Sequence, residues 1–367
     1  MSGFWLPRIT GIAAEIGQPD LVCAGALEVC DLQPCDLSNE IYCGFRQEKF
    51  PTLAPELYQR LVPALRLATA LLLNVHSSRW FIKLALGNRQ IDPTSGRSYL
   101  TDVPLTPENR QQMALRLGKA SQYIQIDFQH PSGTYQSAIT NFKQNEAGER
   151  IVHIKLNAEF AYYLQNVKPT SPPGLRLRVL FLIAVTMVHE LAHAVHILRF
   201  PLPQEEFKAF YFNLEDPEAE IGYSWEHHMF QRIMSGTDID DLHDKWTPVP
   251  YWGLFSGSWA EKCLPNSTNN TGEAVSTSWI NQFFRTEFWS QHSSSGSGAA
   301  IPPQSQAGAL FIEGDWVSYR SLQAVSGVPN SAPEPSNDNI IETQNQLSEE
   351  MSMTLNEEDD VSIYLNF

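Results

Sequence analysis

Basic residues run out before the chain does: no Lys or Arg follows Arg320, whereas Glu334, Asp338, Glu342, Glu349, Glu350, Glu357, Glu358, Asp359 and Asp360 crowd the same stretch. Over 367 residues there are 25 basic against 41 acidic side chains, a net charge of −16 with the histidines neutral. That field argues against nucleic acid or an anionic membrane as the main partner. Long apolar runs are also missing, since the longest, Leu67–Leu73 and Val179–Val188, are too short to span a bilayer. The first twenty residues lack a basic region followed by a continuous apolar stretch, being interrupted by Pro7, Arg8 and Glu15. No secretory signal is expected, and the expected location is cytoplasmic. Cysteine is scarce as well: there are five, of which Cys23, Cys30, Cys35 and Cys43 cluster without any C-x-x-C unit, apart from Cys263. Reduced thiols are expected there rather than a zinc knuckle or a disulfide framework.

What is present is enough chain for one large domain or two modest ones with a cleft. Residues 1–50 read as irregular. Ala54–Asn74 carries Leu57, Leu61, Leu65, Ala68 and Leu72 at helical spacing, with Pro63 inside it. A second helix is expected from Thr106, a capping residue followed by Pro107 and Glu108. Alternation at Tyr123–Phe128 and Ile151–Leu156 predicts strands, with a weaker one at Tyr135–Phe142. Leu175–His196 is almost wholly apolar and reads as a buried helix bracketed by prolines. Another helix is expected from Pro217 to about Met234, and Trp279–Trp289 reads as an aromatic strap over the core. Ser290–Gly308 has linker composition, and the acidic stretch beyond Arg320 has too little apolar content to fold. The division expected is therefore 1–50, an irregular segment; 51–289, a catalytic domain; and 290–367, a linker and tail.

The segment with chemistry in it is Thr186-Met187-Val188-His189-Glu190-Leu191-Ala192-His193. Residues four apart on a helix lie one turn above each other on one face, so His189 and His193 can direct two imidazoles at one ion. Neutral imidazole at about 2.0–2.1 Å is a preferred zinc ligand. Glu190 is turned by about 100° from His189, beside such an ion rather than on it, where it can take a proton from a water. Apart from Glu190, Val179–Glu190 contains no charged residue, and a carboxylate buried there without a task would be costly. His196 lies about 10.5 Å along the axis from His189, too far to share the ion, and reads as a core or supporting residue.

With this helix and the later segment Glu220-Ile221-Gly222-Tyr223-Ser224-Trp225-Glu226, the chain resembles the zincin metallopeptidases. Within them it resembles the gluzincins and looks particularly like uncharacterised fungal proteins that pair an H-E-x-x-H helix with an E-x-G-x-x-x-E segment. The extended metzincin pattern is excluded, because His196 and Arg199 stand where it needs Gly and His. The resemblance covers roughly Tyr123–Trp289. It implies an α+β, zincin-like fold: a small twisted sheet over a buried H-E-x-x-H helix, with a second helix bearing a glutamate. It implies one zinc on His189, His193 and a glutamate, with Glu190 as the catalytic base. Glu220 is the expected third ligand, because Gly222 beside it permits close approach, and Glu218 and Glu226 are the alternatives.

A donor facing the metal is sought among Tyr223, His227, His228, His243 and Tyr251. The strand Ile151–Leu156 resembles the edge strand along which zincins lay an extended substrate. The implied activity is zinc-dependent hydrolysis of a peptide or protein substrate, with no nucleic acid or membrane partner. Two other readings are a zinc enzyme acting on a small ester, lactone or biosynthetic intermediate, and a catalytically silent zinc fold that binds a partner.

Overall fold

The fold is that of a computed structural model, described for residues 32–129, 137–146, 148–168, 171, 173–200, 210–236, 254–259, 269–294, 299–303, 305–313 and 316–321. It is mixed α+β, with small sheets set around one long buried helix. The chain enters irregularly, through short 3-10 turns at Cys43–Phe45 and Gln47–Lys49. The expected helix forms as α1 (Pro55–Leu73), with Pro63 within it. Asn74 then starts a new helix, α2 (Val75–Leu86), because its side chain accepts from the amide of His76 at 2.8 Å. The antiparallel pair β1 (Arg89–Ile91) and β2 (Ser98–Leu100) follows. Next is α3 (Pro107–Ala120), where Thr106 caps the amide of Asn109 at 3.2 Å as its sequence predicts.

Three strands come next: β3 (Ile124–Gln129), β4 (Ala138–Gln144) and β5 (Arg150–Asn157). Their order is β3-β5-β4, with β5 parallel to β3 and antiparallel to β4. The expectation that Ile151–Leu156 forms an edge is therefore corrected. The short β4–β5 hairpin leaves the other side of β5 open to β3, so the last strand in sequence lies in the middle. Among the described residues the edges are β3 and β4. After α4 (Ala158–Asn166) comes α5 (Pro173–Arg199), the helix of His189 and His193. By length and composition α5 could cross a membrane, but 94% of its most apolar window is buried inside the fold. It packs against α1, α2, β4 and β5. Replacing a leucine such as Leu180 or Leu191 by alanine there would cost roughly 2–5 kcal/mol. At the C-terminal end Arg199 bonds the carbonyls of Leu84 and Gly87, tying α5 to the end of α2.

The glutamate helix is shorter than expected: α6 spans Ile221–Phe230, not Pro217–Met234. Glu220 stops it from extending backwards, since its side chain takes the amides of Gly222 and Tyr223 and makes it the N-cap. Gln231, in the left-handed conformation at φ 57°, ends it. A five-stranded antiparallel sheet follows, in the order β10-β9-β8-β7-β6. Its strands are β6 (Ile233–Gly236), β7 (Leu254–Gly257), β8 (Asn269–Val275), β9 (Ser305–Glu313) and β10 (Trp316–Ser321). Between β8 and β9 lie α7 (Thr277–Gln282) and α8 (Thr286–Ser294).

α8 runs past residue 289, and β9 and β10, which flank Gly314-Asp315 just after the Ser- and Gly-rich stretch, belong to the sheet. The aromatic strap does lie on the core: Trp279 and Phe283 pack edge-on against Phe181 of α5. The irregular N-terminal segment docks there too, with Asn281 bonding both the amide and the carbonyl of Gln33 at 2.8 Å. Cys35 and Cys43 are free thiols. Cys23, Cys30, Cys263 and the acidic stretch after residue 321 lie outside the described residues.

Candidate metal centre

The side chains of His189, His193 and Glu220 meet, each offering one ligand atom, with all three atoms within 4.8 Å of one another. Nε2 of His193 stands 2.5 Å from Oε1 of Glu220, and Nε2 of His189 stands 3.6 Å from the same oxygen. The 2.5 Å approach of the buried Nε2 of His193 to the carboxylate is an ion-pair contact rather than a well-aligned hydrogen bond. Three ligand atoms converging on one point have the disposition of ligands around a cation.

Gly222 allows this approach. A Cβ at that position would fall on the imidazole of His189, so a larger residue would keep α6 from seating against α5. The sequence reading assigns Gly222 this part, and the geometry agrees with it.

The ring of His189 is fixed from behind. Its Nδ1 donates to Oε1 of Glu226 at 2.7 Å, and Oε2 of Glu226 accepts from the amide of Met234 on β6 at 2.7 Å. That bond orients the ring and turns Nε2 toward Glu220 and His193. Glu226, an alternative third ligand in the sequence reading, is therefore occupied in orienting a histidine. Glu218, the other alternative, accepts from Nε1 of Trp259 at 3.1 Å.

Glu190 lies nine-tenths buried on α5, and its Oε2 accepts a 2.5 Å hydrogen bond from Oγ1 of Thr140 on β4. No feature of the sequence singles out Thr140, which reaches the site only through the packing of β4 on α5. Glu226 did leave a sign, the second glutamate of the E-x-G-x-x-x-E spacing, but not one that told its task from that of Glu220.

Electrostatics supports a cation here. Glu190, Glu220 and Glu226 are each 4–5% exposed, and they face two imidazoles. Burial alone would lower the pKa of His189, but the facing carboxylates of Glu220, Glu226 and Glu190 outweigh it and raise the group to about 9. Burial likewise pushes Glu220 up, and the two imidazoles together with the amide of Tyr223 overcome it and hold the carboxyl down at about 2. Three buried carboxyl groups facing two imidazoles form a site whose negative charge a divalent ion would largely offset. Two nitrogens and one carboxylate oxygen are a zinc-type donor set.

Of the residues expected to face the metal, Tyr223 packs edge-on against His189, with ring centroids 5.2 Å apart. Burial, then the charges of Glu220, Glu226, Glu218 and Glu190, push its phenol well up, so it stays a neutral donor. His227 is exposed, with its ring centroid 6.0 Å from that of Trp259. His228 turns instead to His76, their rings stacked at 3.9 Å. His243 and Tyr251 lie outside the described residues. His196 sits among Phe200 and Phe210, where burial and then the neighbouring His193, Arg199 and Arg89 lower it to about 3. It is a core histidine.

No family model, no curated protein and no solved structure matches this chain.

Proposed function

We propose that the protein is a zinc-dependent hydrolase of zincin type, most simply a metallopeptidase, with His189, His193 and Glu220 as ligands and Glu190 as general base. The observation that carries this reading is the convergence of the three ligand atoms beside a buried carboxylate that is not one of them. A zinc ion there would supply Lewis acidity, drawing charge from a scissile carbonyl and acidifying a water.

The remaining work falls to the chain. Glu226 holds the ring of His189 so that Nε2 is aimed at the ion. Glu190 takes the proton of the attacking water and returns it to the leaving amine, so that no net proton is gained. Tyr223, whose ring packs against that of His189, is the residue we assign to steadying developing negative charge. β4, an edge of its sheet among the described residues, carries the partner of Glu190 and is the strand to which an extended peptide would add.

The test is elemental analysis of protein purified without chelators, followed by a quenched-fluorescence peptide library. One zinc per chain and cleavage abolished by Glu190→Gln are expected. Absence of zinc uptake on titration sinks the metal reading. Stoichiometric zinc with no cleavage sinks the peptidase reading.

A further inference from the structure

We infer that Thr140 on β4 is a positioning residue for the proton-accepting carboxylate of Glu190. The inference rests on the function proposed above and adds a component that the motif does not contain.

Oγ1 of Thr140 lies 2.5 Å from Oε2 of Glu190 and 3.3 Å from the backbone oxygen of the same residue. A hydroxyl has one proton to give, and the shorter, charge-assisted contact takes it. Both side chains are buried, Thr140 at 7% and Glu190 at 4% exposed, so water does not substitute freely. Threonine is stiff about χ1 in a strand. Its place is set by pairing with Ile154 on the central strand β5, not by the helix that carries Glu190. The sheet thus holds one oxygen of the carboxylate from outside its own helix. The other oxygen, Oε1, is left to receive the proton: a water O–H bond breaks, the proton passes to Oε1, and Thr140 keeps its own. Removing the hydroxyl leaves Oε2 buried without its donor and lets the carboxylate turn.

The experiment uses the zinc-loaded full chain with Thr140→Val, which keeps the shape and loses the hydroxyl, and Thr140→Ser, which keeps the hydroxyl. Zinc affinity is read by chelator competition and folding by thermal melting. Acetohydroxamate and azide binding are read by calorimetry. The first passes a proton to a neighbouring carboxylate as it chelates zinc; the second brings no proton.

For Thr140→Val, zinc affinity and melting should stay close to wild type and azide binding should not change. Acetohydroxamate should bind about 10- to 100-fold more weakly, the scale of a lost hydrogen bond to a charged group. On a peptide found in the library, kcat should fall by a similar factor with KM little changed, and Thr140→Ser should restore most of it. Should the valine variant fold poorly, Thr140→Ala, which admits a water in place of the hydroxyl, should show an intermediate loss in the same readouts.

Wild-type acetohydroxamate affinity and kcat in both Thr140→Val and Thr140→Ala, with both lost in Glu190→Gln, overturns the inference and leaves the role of Glu190 standing. Equal loss of zinc affinity and of acetohydroxamate affinity overturns it too, because that is the mark of a structural role. A Glu190→Gln protein that keeps both properties overturns the function and this inference together.

Discussion

Helices α5 and α6 bring side chains to the same point by opposite means. α5 is long, buried on nearly every face and anchored by apolar packing, so His189 and His193 inherit their places from a backbone that has little freedom to move. α6 is ten residues long and is held by polar tethers at both ends. Glu220 caps its first amides, Glu226 ties it to His189 and to the amide of Met234, and His228 clasps His76 on α2. The rigid helix sets where the ion would sit, and the tethered one closes the site around it. Damage to α5 should therefore remove function outright, while damage to α6 should come in grades.

The largest effects belong to α5. Glu190→Gln should lower hydrolysis by about 10²–10⁴ with zinc retained, because the amide keeps the shape but accepts no proton near neutral pH. His189→Ala should lose zinc and activity together. Paired measurements of metal content and turnover check the contrast, and a Glu190→Gln protein that has lost its zinc would break it.

Gly222→Ala should come next. In an ordinary helix that change favours folding by up to about 1 kcal/mol. Here the added methyl meets the ring of His189, and overpacking of that kind costs roughly 1–3 kcal/mol. The sign therefore decides the matter: a lower melting temperature and weaker zinc binding are expected, whereas a rise in both would show that α6 does not seat on His189.

Glu226→Gln should weaken zinc binding by about 10- to 100-fold, as loss of a carboxylate behind a ligating histidine generally does. Glu218→Gln, which touches only the Trp259 bond, should leave zinc affinity little changed. Competition with a chromophoric chelator separates the two, and equal losses would mean that charge near the site matters more than the bond to Nδ1.

The same contrast explains what could be read from the sequence. The part on α5 was legible because helical spacing alone brings His189, Glu190 and His193 together, and an unbroken apolar run announces burial. Glu220 was singled out through its neighbour Gly222, a local feature. The roles of Glu226 and Thr140 were not legible, since each depends on which strand lies against the helix. The position of β5 in its sheet was misjudged for that reason: alternation predicts a strand but says nothing of its neighbours. β9 and β10 were hidden by the composition of the residues before them.

The smallest effect concerns the far end of α6, where the rings of His76 and His228 stack and each donates through Nε2 to the other's carbonyl, at 2.7 and 3.0 Å. Burial first, and then the nearby His76, Arg79 and His227, outweigh a backbone hydrogen bond to His76 and lower His228 from its ordinary 6.5 to about 4. As the pH falls below 6.5 the unfolded chain takes up this proton before the folded chain does. The stabilisation from a neutral His228 is therefore complete above 6.5 and is lost progressively down to about 4. His196, at about 3, adds to the same slope. In metal-free protein His189 acts between 6.5 and about 9 and Glu220 below its ordinary 4.5, while His153, lowered mainly by burial, acts below 6.5 alongside His228, and Asp216, raised mainly by burial, acts above its ordinary 3.8. Melting temperatures of metal-free protein between pH 4.5 and 6.5 thus report on the lowered histidines His153, His196 and His228 together, and comparison with a variant isolates His228. His228→Gln keeps a donor for the His76 carbonyl but has no proton to gain, so its melting temperature should fall less steeply with acid, by on the order of a few degrees across that window. Parallel curves for the two proteins would mean that the clasp opens to water before it titrates, and that this end of α6 is held by its apolar face alone.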